Sequence, residues 1–184
     1  MPDEKVDICN QQGEFLRQGM KREAHTNSLW HKTAHIWVYN SKGQVLLQKR
    51  AIAKTTHSGL WDVSCAGHVG AGEEVDETAV RELGEELGLV VKLEDLLKDT
   101  IFLLRCDDPS RNYYNRELVQ FYFYKWDGDI DELKLQQEEV EQAQWLDLTV
   151  FQTELNDIST KTKYVDHGDY YVEVVKKLKK LIVV

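Results

Sequence analysis

Hydrophobic and polar residues alternate with a period of two along much of this chain, a pattern that predicts half-buried strands. The clearest case is "KTAHIWVYN" from Lys32, where Ala34, Ile36 and Val38 share one face and His35, Trp37 and Tyr39 the other. "VLLQKR" returns after the turn "NSKGQ", and "LWDVSCAG" is a further β-rich run after the loop "AIAKTTHSG". "TIFLLRC" and "RELVQFYFYKW" read as strands separated by the loop "DDPSRNYYN", and "EEVEQAQWLDL" follows the surface loop "DGDIDELKLQQ". Near the start, "KVDIC" and "FLRQG" form a hairpin through Gly13, and Lys21 to Ala24 form a short helical turn. The period turns helical in the centre, where Ala79, Leu83 and Leu87 recur at i, i+4 and i+8. Two later helices are predicted, Thr149 to Asp157 and Asp169 to Lys180, the second with Val172, Val175 and Leu178 on one face and "KKLKK" outside. Strands on both sides of a central helix, with helices at the end, predict an α+β or mixed α/β/α sandwich.

Composition narrows the class of protein. The 184 residues are 42% hydrophobic and 30% charged, the balance of one soluble globular domain spanning 1–184. A net charge of -9 repels phosphate backbones, so stable DNA or RNA binding is not expected. No apolar run approaches the roughly 20 residues of a spanning helix, so no membrane role is expected. The N-terminus is acidic and polar, unlike a signal or transit peptide. Cys9, Cys65 and Cys106 lack a CxxC spacing and form neither a disulfide framework nor a zinc box. A reducing, cytoplasmic setting is the expectation.

Candidate chemistry concentrates between Gly67 and Leu89, "GHVGAGEEVDETAVRELGEELGL". On a helix, Glu82, Glu85 and Glu86 fall at i, i+3 and i+4 and share one face, where like charges repel. A hard cation with oxygen ligands, Mg²⁺ or Mn²⁺, turns that repulsion into a site. Gly84 weakens the helix interior by roughly 1 kcal/mol relative to Ala, and Gly88 suits the position just past a helix end. Lys49 and Arg50 end a strand and Lys54 and His57 follow in a loop, where all four are candidates for charge-assisted contacts to substrate phosphates. Trp37, Trp61, Tyr122 and Tyr124 are expected mostly in the core.

The spacing Gly67, Glu73, Arg81-Glu82-Leu83, Glu85-Glu86 and Gly88-Leu89 resembles the Nudix box, and every defined position is filled. The resemblance covers about 32–157 and implies the Nudix fold, a mixed sheet carrying a loop–helix–loop. It implies metal-dependent cleavage of a diphosphate linked to another moiety. Glu82, Glu85 and Glu86, with the Gly67 carbonyl, would be the metal ligands. Glu82, one turn before Glu85 and Glu86 on the helix, is placed to orient or deprotonate a metal-bound water. Family members use different glutamates as the base; Glu82, Glu85 and Arg81 make up the expected catalytic group. Glu73 would clamp Arg81, with Gly72 and Gly88 structural. Glu139 is the best candidate for an additional carboxylate from the late strand.

A narrower resemblance, carried by "AHTNSLWHKTAHIWVYNSKGQVLLQKR" and "HSGLWDVSCAGHVGAGE", is to type I isopentenyl-diphosphate isomerases. It makes 1–31 an isomerase-like N-terminal extension and 160–184 a C-terminal helical one. It implies a second metal site at His25, His31, His68 and Glu117, chemistry that suits Mn²⁺ or a transition metal. The isomerases' catalytic cysteine falls on Ala66, and the first of their glutamate pair on Asn115. Cys65 adjoins Ala66, but adjacent strand residues point to opposite faces. The expectation is therefore a hydrolase of a small nucleoside or other organic diphosphate on an isomerase-like scaffold. The alternatives are the isomerase itself and a non-catalytic diphosphate-binding protein. A homodimer is implied by resemblance alone.

Overall fold

The computed structural model describes residues 3–182. The chain opens with a hairpin, β1 (Lys5–Cys9) and β2 (Phe15–Met20), and a short helix α1 (Lys21–Thr26). Strands β3 (Trp30–Tyr39), β4 (Gln44–Arg50), β5 (Trp61–Asp62) and β6 (Cys65–His68) lead into helix α2 (Val75–Leu87). Strands β7 (Leu97–Asp108), β8 (Tyr113–Lys125) and β9 (Val140–Asp147) follow, then helices α3 (Leu148–Asn156) and α4 (Tyr170–Ile182). All nine strands join one mixed sheet. Its centre is β3, which pairs in parallel with β8 from His31↔Glu117 to Tyr39↔Lys125 and antiparallel with β6 from Thr33↔His68 to Ile36↔Cys65.

The period-two pattern of β3 divides the protein into two cores. Ala34, Ile36 and Val38 pack with Ala79, Leu83 and Leu87 of α2. Trp37, on the opposite face, packs with Phe151 of α3 and Tyr170, Val174 and Leu178 of α4. The architecture is thus the mixed α/β/α sandwich that the pattern predicted, with α2 on one face and α3 and α4 on the other. Among the described residues no helix is long and apolar enough to cross a membrane.

Three expectations are corrected. "LWDVSCAG" is two short strands, since β5 pairs with β4 while β6 pairs with β3. Ser64 makes the crossing: its hydroxyl donates to the Leu46 carbonyl at 2.5 Å and accepts the Val38 N–H at 2.9 Å. The loop 107–115 is a tight hairpin turn in which β7 and β8 stay paired out to Asp108↔Tyr113. Asn112, at φ 52°, supplies the left-handed residue that a tight reversal needs. On α4, Val172 is exposed, and the buried stripe is Tyr171, Val174, Val175 and Leu178. That stripe steps i, i+3, i+4 and i+7, a phase set by the buried Tyr170–Tyr171 pair.

Candidate active site on the two faces of strand β6

The Nudix-like segment folds as loop, helix and stop. Arg81 donates from Nε and Nη2 to the Glu73 carboxylate at 2.9 and 3.1 Å, and Glu73 also accepts the Gly70 N–H at 3.0 Å. This ties the loop to the helix eight residues on. Arg81 Nη1 meanwhile reaches Glu82 and Glu85, each at 2.8 Å. Gly88 ends α2 at φ 71°, where its N–H returns to the Gly84 carbonyl.

Strand alternation on β6 then sorts the site. Cys65 and Gly67 face α2, whereas Ala66 and His68 face a cleft of about 600 Å³. A Cβ at position 67 would overlap the Glu82 side chain, so any other residue there pushes that carboxylate aside. Glu86 is buried beside Cys65 and accepts from Gln48 Nε2 and the Ala66 N–H, both at a long 3.3 Å. Burial, and next the Glu82 charge, push the Glu86 carboxyl up to about 8. Burial raises Glu82 as well, while Glu85 is half exposed. Two desolvated carboxylates against a backbone with no Cβ form a cradle that a small cation fits. Glu139 lies at the cradle's edge, ion-paired with Lys54.

On the other face, His25 of α1, His31 of β3, His68 of β6 and Glu117 of β8 come together with ligand atoms within 4.8 Å of one another. His31 Nδ1 meets the Leu29 carbonyl at 2.9 Å, leaving its buried Nε2 without a partner. His25 Nε2 and His68 Nε2 face each other at 3.3 Å. Burial lowers the His25 imidazole to about 3 and lowers His68 strongly too, so both stay neutral and able to ligate. His68 lines the cleft and also a smaller depression beside Arg81 and Glu82, so the two groups meet along one strand.

Of the four phosphate-contact candidates, Arg50, Lys54 and His57 line the cleft. Lys49 is not among its lining residues, because its ammonium is taken up by Glu141 of the neighbouring strand β9 at 2.9 Å.

The family model described as the NUDIX domain matches residues 29–166. The chain belongs to the Nudix hydrolase family. Enzymes of this family cleave nucleoside diphosphate derivatives and use divalent metals. An uncharacterised Nudix hydrolase from Clostridium acetobutylicum is 32% identical over 143 residues, 76% of this chain and 68% of that protein. The isopentenyl-diphosphate Delta-isomerase of Escherichia coli is also 32% identical, over 150 residues, 80% of this chain and 79% of the enzyme. In fold, this Nudix hydrolase is similar to DR0079 from Deinococcus radiodurans, with a TM-score of 0.67 at 20% identity, covering 95% of this chain and 99% of that one.

Sequence reasoning passed over three residues of this hydrolase's cleft. His35 lies on the same face of β3 as His31 and Thr33, a signal the period of two carries. Asp62 and His167 meet at 2.8 Å, with Arg50 3.3 Å from the same carboxylate. His167 follows the family match, and no local pattern marks it. The Asp62 carboxyl, though buried, is held far below the usual range by His167 and Arg50.

Proposed function

We propose that this enzyme hydrolyses a phosphoanhydride bond of a small nucleoside or other organic diphosphate, with Mg²⁺ or Mn²⁺ held by Glu82, Glu85, Glu86 and the Gly67 carbonyl. The observation that carries the reading is the buried Glu86 carboxyl beside the partly buried Glu82 carboxyl, both raised by desolvation and packed on a glycine backbone. When bound, the ion neutralises diphosphate charge and lowers the pKa of its water. Burial raises the Glu82 carboxyl above the ordinary carboxylate range, which makes it a stronger base for a proton of metal-bound water. Arg81 holds Glu82 and Glu85 in register from one guanidinium nitrogen. Arg50, Lys54 and His57 offer donors to the phosphates from the cleft wall. Glu139 is a reserve carboxylate, released when Lys54 turns to a phosphate.

The histidine cluster supports a second ion. Three imidazoles and one carboxylate favour Mn²⁺ or a transition metal over Mg²⁺, and the orphaned His31 Nε2 is the atom such an ion would satisfy. In this reading the extensions before residue 32 and after residue 160 belong to the same catalytic unit, since His25 and His167 both line the cleft.

Isomerisation is the weaker reading. It needs an acid–base thiol where Ala66 lines the cleft, and Cys65 faces the opposite core with its thiol pushed well up by burial and Glu86. One assay separates the readings. Phosphate release is measured over a panel of nucleoside, sugar and prenyl diphosphates, with and without Mg²⁺ or Mn²⁺, and isopentenyl diphosphate is followed in D₂O. Metal-dependent release without carbon-bound deuterium is expected. Deuterium incorporation with no phosphate release across the panel would reverse the assignment.

A further inference from the structure

Glu117 presents its two oxygens to different neighbours. Oε1 lies 3.8 Å from His31 Nε2 and 3.7 Å from His68 Nε2, inside the histidine cluster. Oε2 faces outward to His35 Nε2 at 3.9 Å. His35 is not one of the four clustered ligands, and its ring is held from the far side by α4: its Nδ1 lies 2.7 Å from the Tyr170 hydroxyl. The same hydroxyl oxygen lies 3.1 Å from Trp37 Nε1.

One arrangement of hydrogens gives every donor in this chain an acceptor. An indole N–H only donates, so the Tyr170 oxygen accepts from Trp37. The single Tyr170 hydrogen is then directed to the remaining partner, His35 Nδ1, which accepts. A neutral imidazole that accepts at Nδ1 carries its hydrogen at Nε2, the nitrogen that faces Glu117. Trp37 and Tyr170 are fully buried, so the Trp37–Tyr170–His35 bonds lie away from bulk solvent.

We infer that Tyr170 and His35 are positioning residues for Glu117: the tyrosine fixes the His35 tautomer, and the resulting Nε2–H orients the carboxylate so that Oε1 is presented to an ion in the histidine cluster. At 3.9 Å the N–H acts on Oε2 by electrostatic orientation rather than a direct hydrogen bond. A metal-ligating group is commonly aimed by such an outer partner. Here the partner, His35 of β3, is itself fixed by Tyr170 from α4, a helix that starts beyond the family match, which ends at residue 166. The inference rests on the cluster being a metal site.

The test is Co²⁺ binding to the purified full-length protein, read by its visible d–d absorption and by competition titration. Tyr170→Phe keeps the ring and removes the hydroxyl; it is expected to weaken Co²⁺ binding about 10- to 100-fold and to alter the absorption band. His35→Phe, which removes the Nε2–H directly, is expected to do the same and serves if Tyr170→Phe folds poorly. Tyr171→Phe is the control for packing, because that hydroxyl reaches Asp62 at 3.4 Å and not His35; wild-type affinity is expected. Wild-type affinity and spectrum in Tyr170→Phe and His35→Phe would overturn the inference, as would an equal loss in Tyr171→Phe. If the wild type binds no Co²⁺ that His25→Gln with His68→Gln abolishes, the metal reading of the cluster falls, and this inference with it.

Discussion

At Glu86 a carboxyl group is enclosed by Cys65, Gln48 and the Ala66 backbone, with Glu82 adding like charge. Its pKa of about 8 lies above the ordinary carboxylate value, so without metal the folded state prefers the protonated form. The sign follows: the contribution of Glu86 to stability is full below its unfolded pKa of about 4.3 and is lost as pH rises through about 8. The melting temperature of metal-free protein minus that of Glu86→Gln is expected to fall across those pH values, which isolates the Glu86 contribution from that of the histidines, and saturating Mg²⁺ is expected to reverse the fall at the alkaline end. Gly67 is tied to the same cradle. Gly67→Ala is expected to displace the Glu82 carboxylate and to cost about 1–3 kcal/mol in urea titrations, with a disproportionate loss of turnover. The box residues were legible from spacing alone, because one helix and one loop hold them. Asp62, His167 and Tyr170 were not, since they approach the cleft through tertiary packing from distant segments.

Among the elements, β5 and β6 depend on one hydroxyl. Ser64 satisfies Val38 N–H and Leu46 C=O in a fully buried position. Ser64→Ala leaves both groups unpaired, and a loss of about 1–3 kcal/mol in equilibrium unfolding is expected. The same residue explains why "LWDVSCAG" could not be read as two strands. Its β propensity runs across the junction, while the break comes from which neighbour each half pairs with. The faces of β3 and α2 were readable because each repeats one period for several turns or residues. The face of α4 was misjudged at Val172, where two adjacent tyrosines set the phase instead of the aliphatic positions.

Across the whole molecule, a mixed sheet keeps two chemically different groups on opposite faces of one strand, carboxylates toward α2 and histidines toward the cleft. Burial keeps several imidazoles neutral. His35 is lowered to about 3, first by desolvation and then by His167, and His25 is lowered to about 3 by desolvation and His31. A depressed imidazole contributes stability that is full above its unfolded pKa of about 6.5 and is lost as pH falls toward the folded value. Melting temperature is therefore expected to fall steadily below about pH 6.5, and a flat profile down to pH 4 would contradict the burial of neutral histidines. The parallel β3–β8 pairing sets His31 beside Glu117, which is how residues far apart in sequence reach one centre. The most direct measurement is the turnover of Glu86→Gln on the panel's best diphosphate at saturating Mg²⁺. A fall of at least about 100-fold, with the fold intact by circular dichroism, is predicted; wild-type turnover would contradict metal-assisted hydrolysis at this helix.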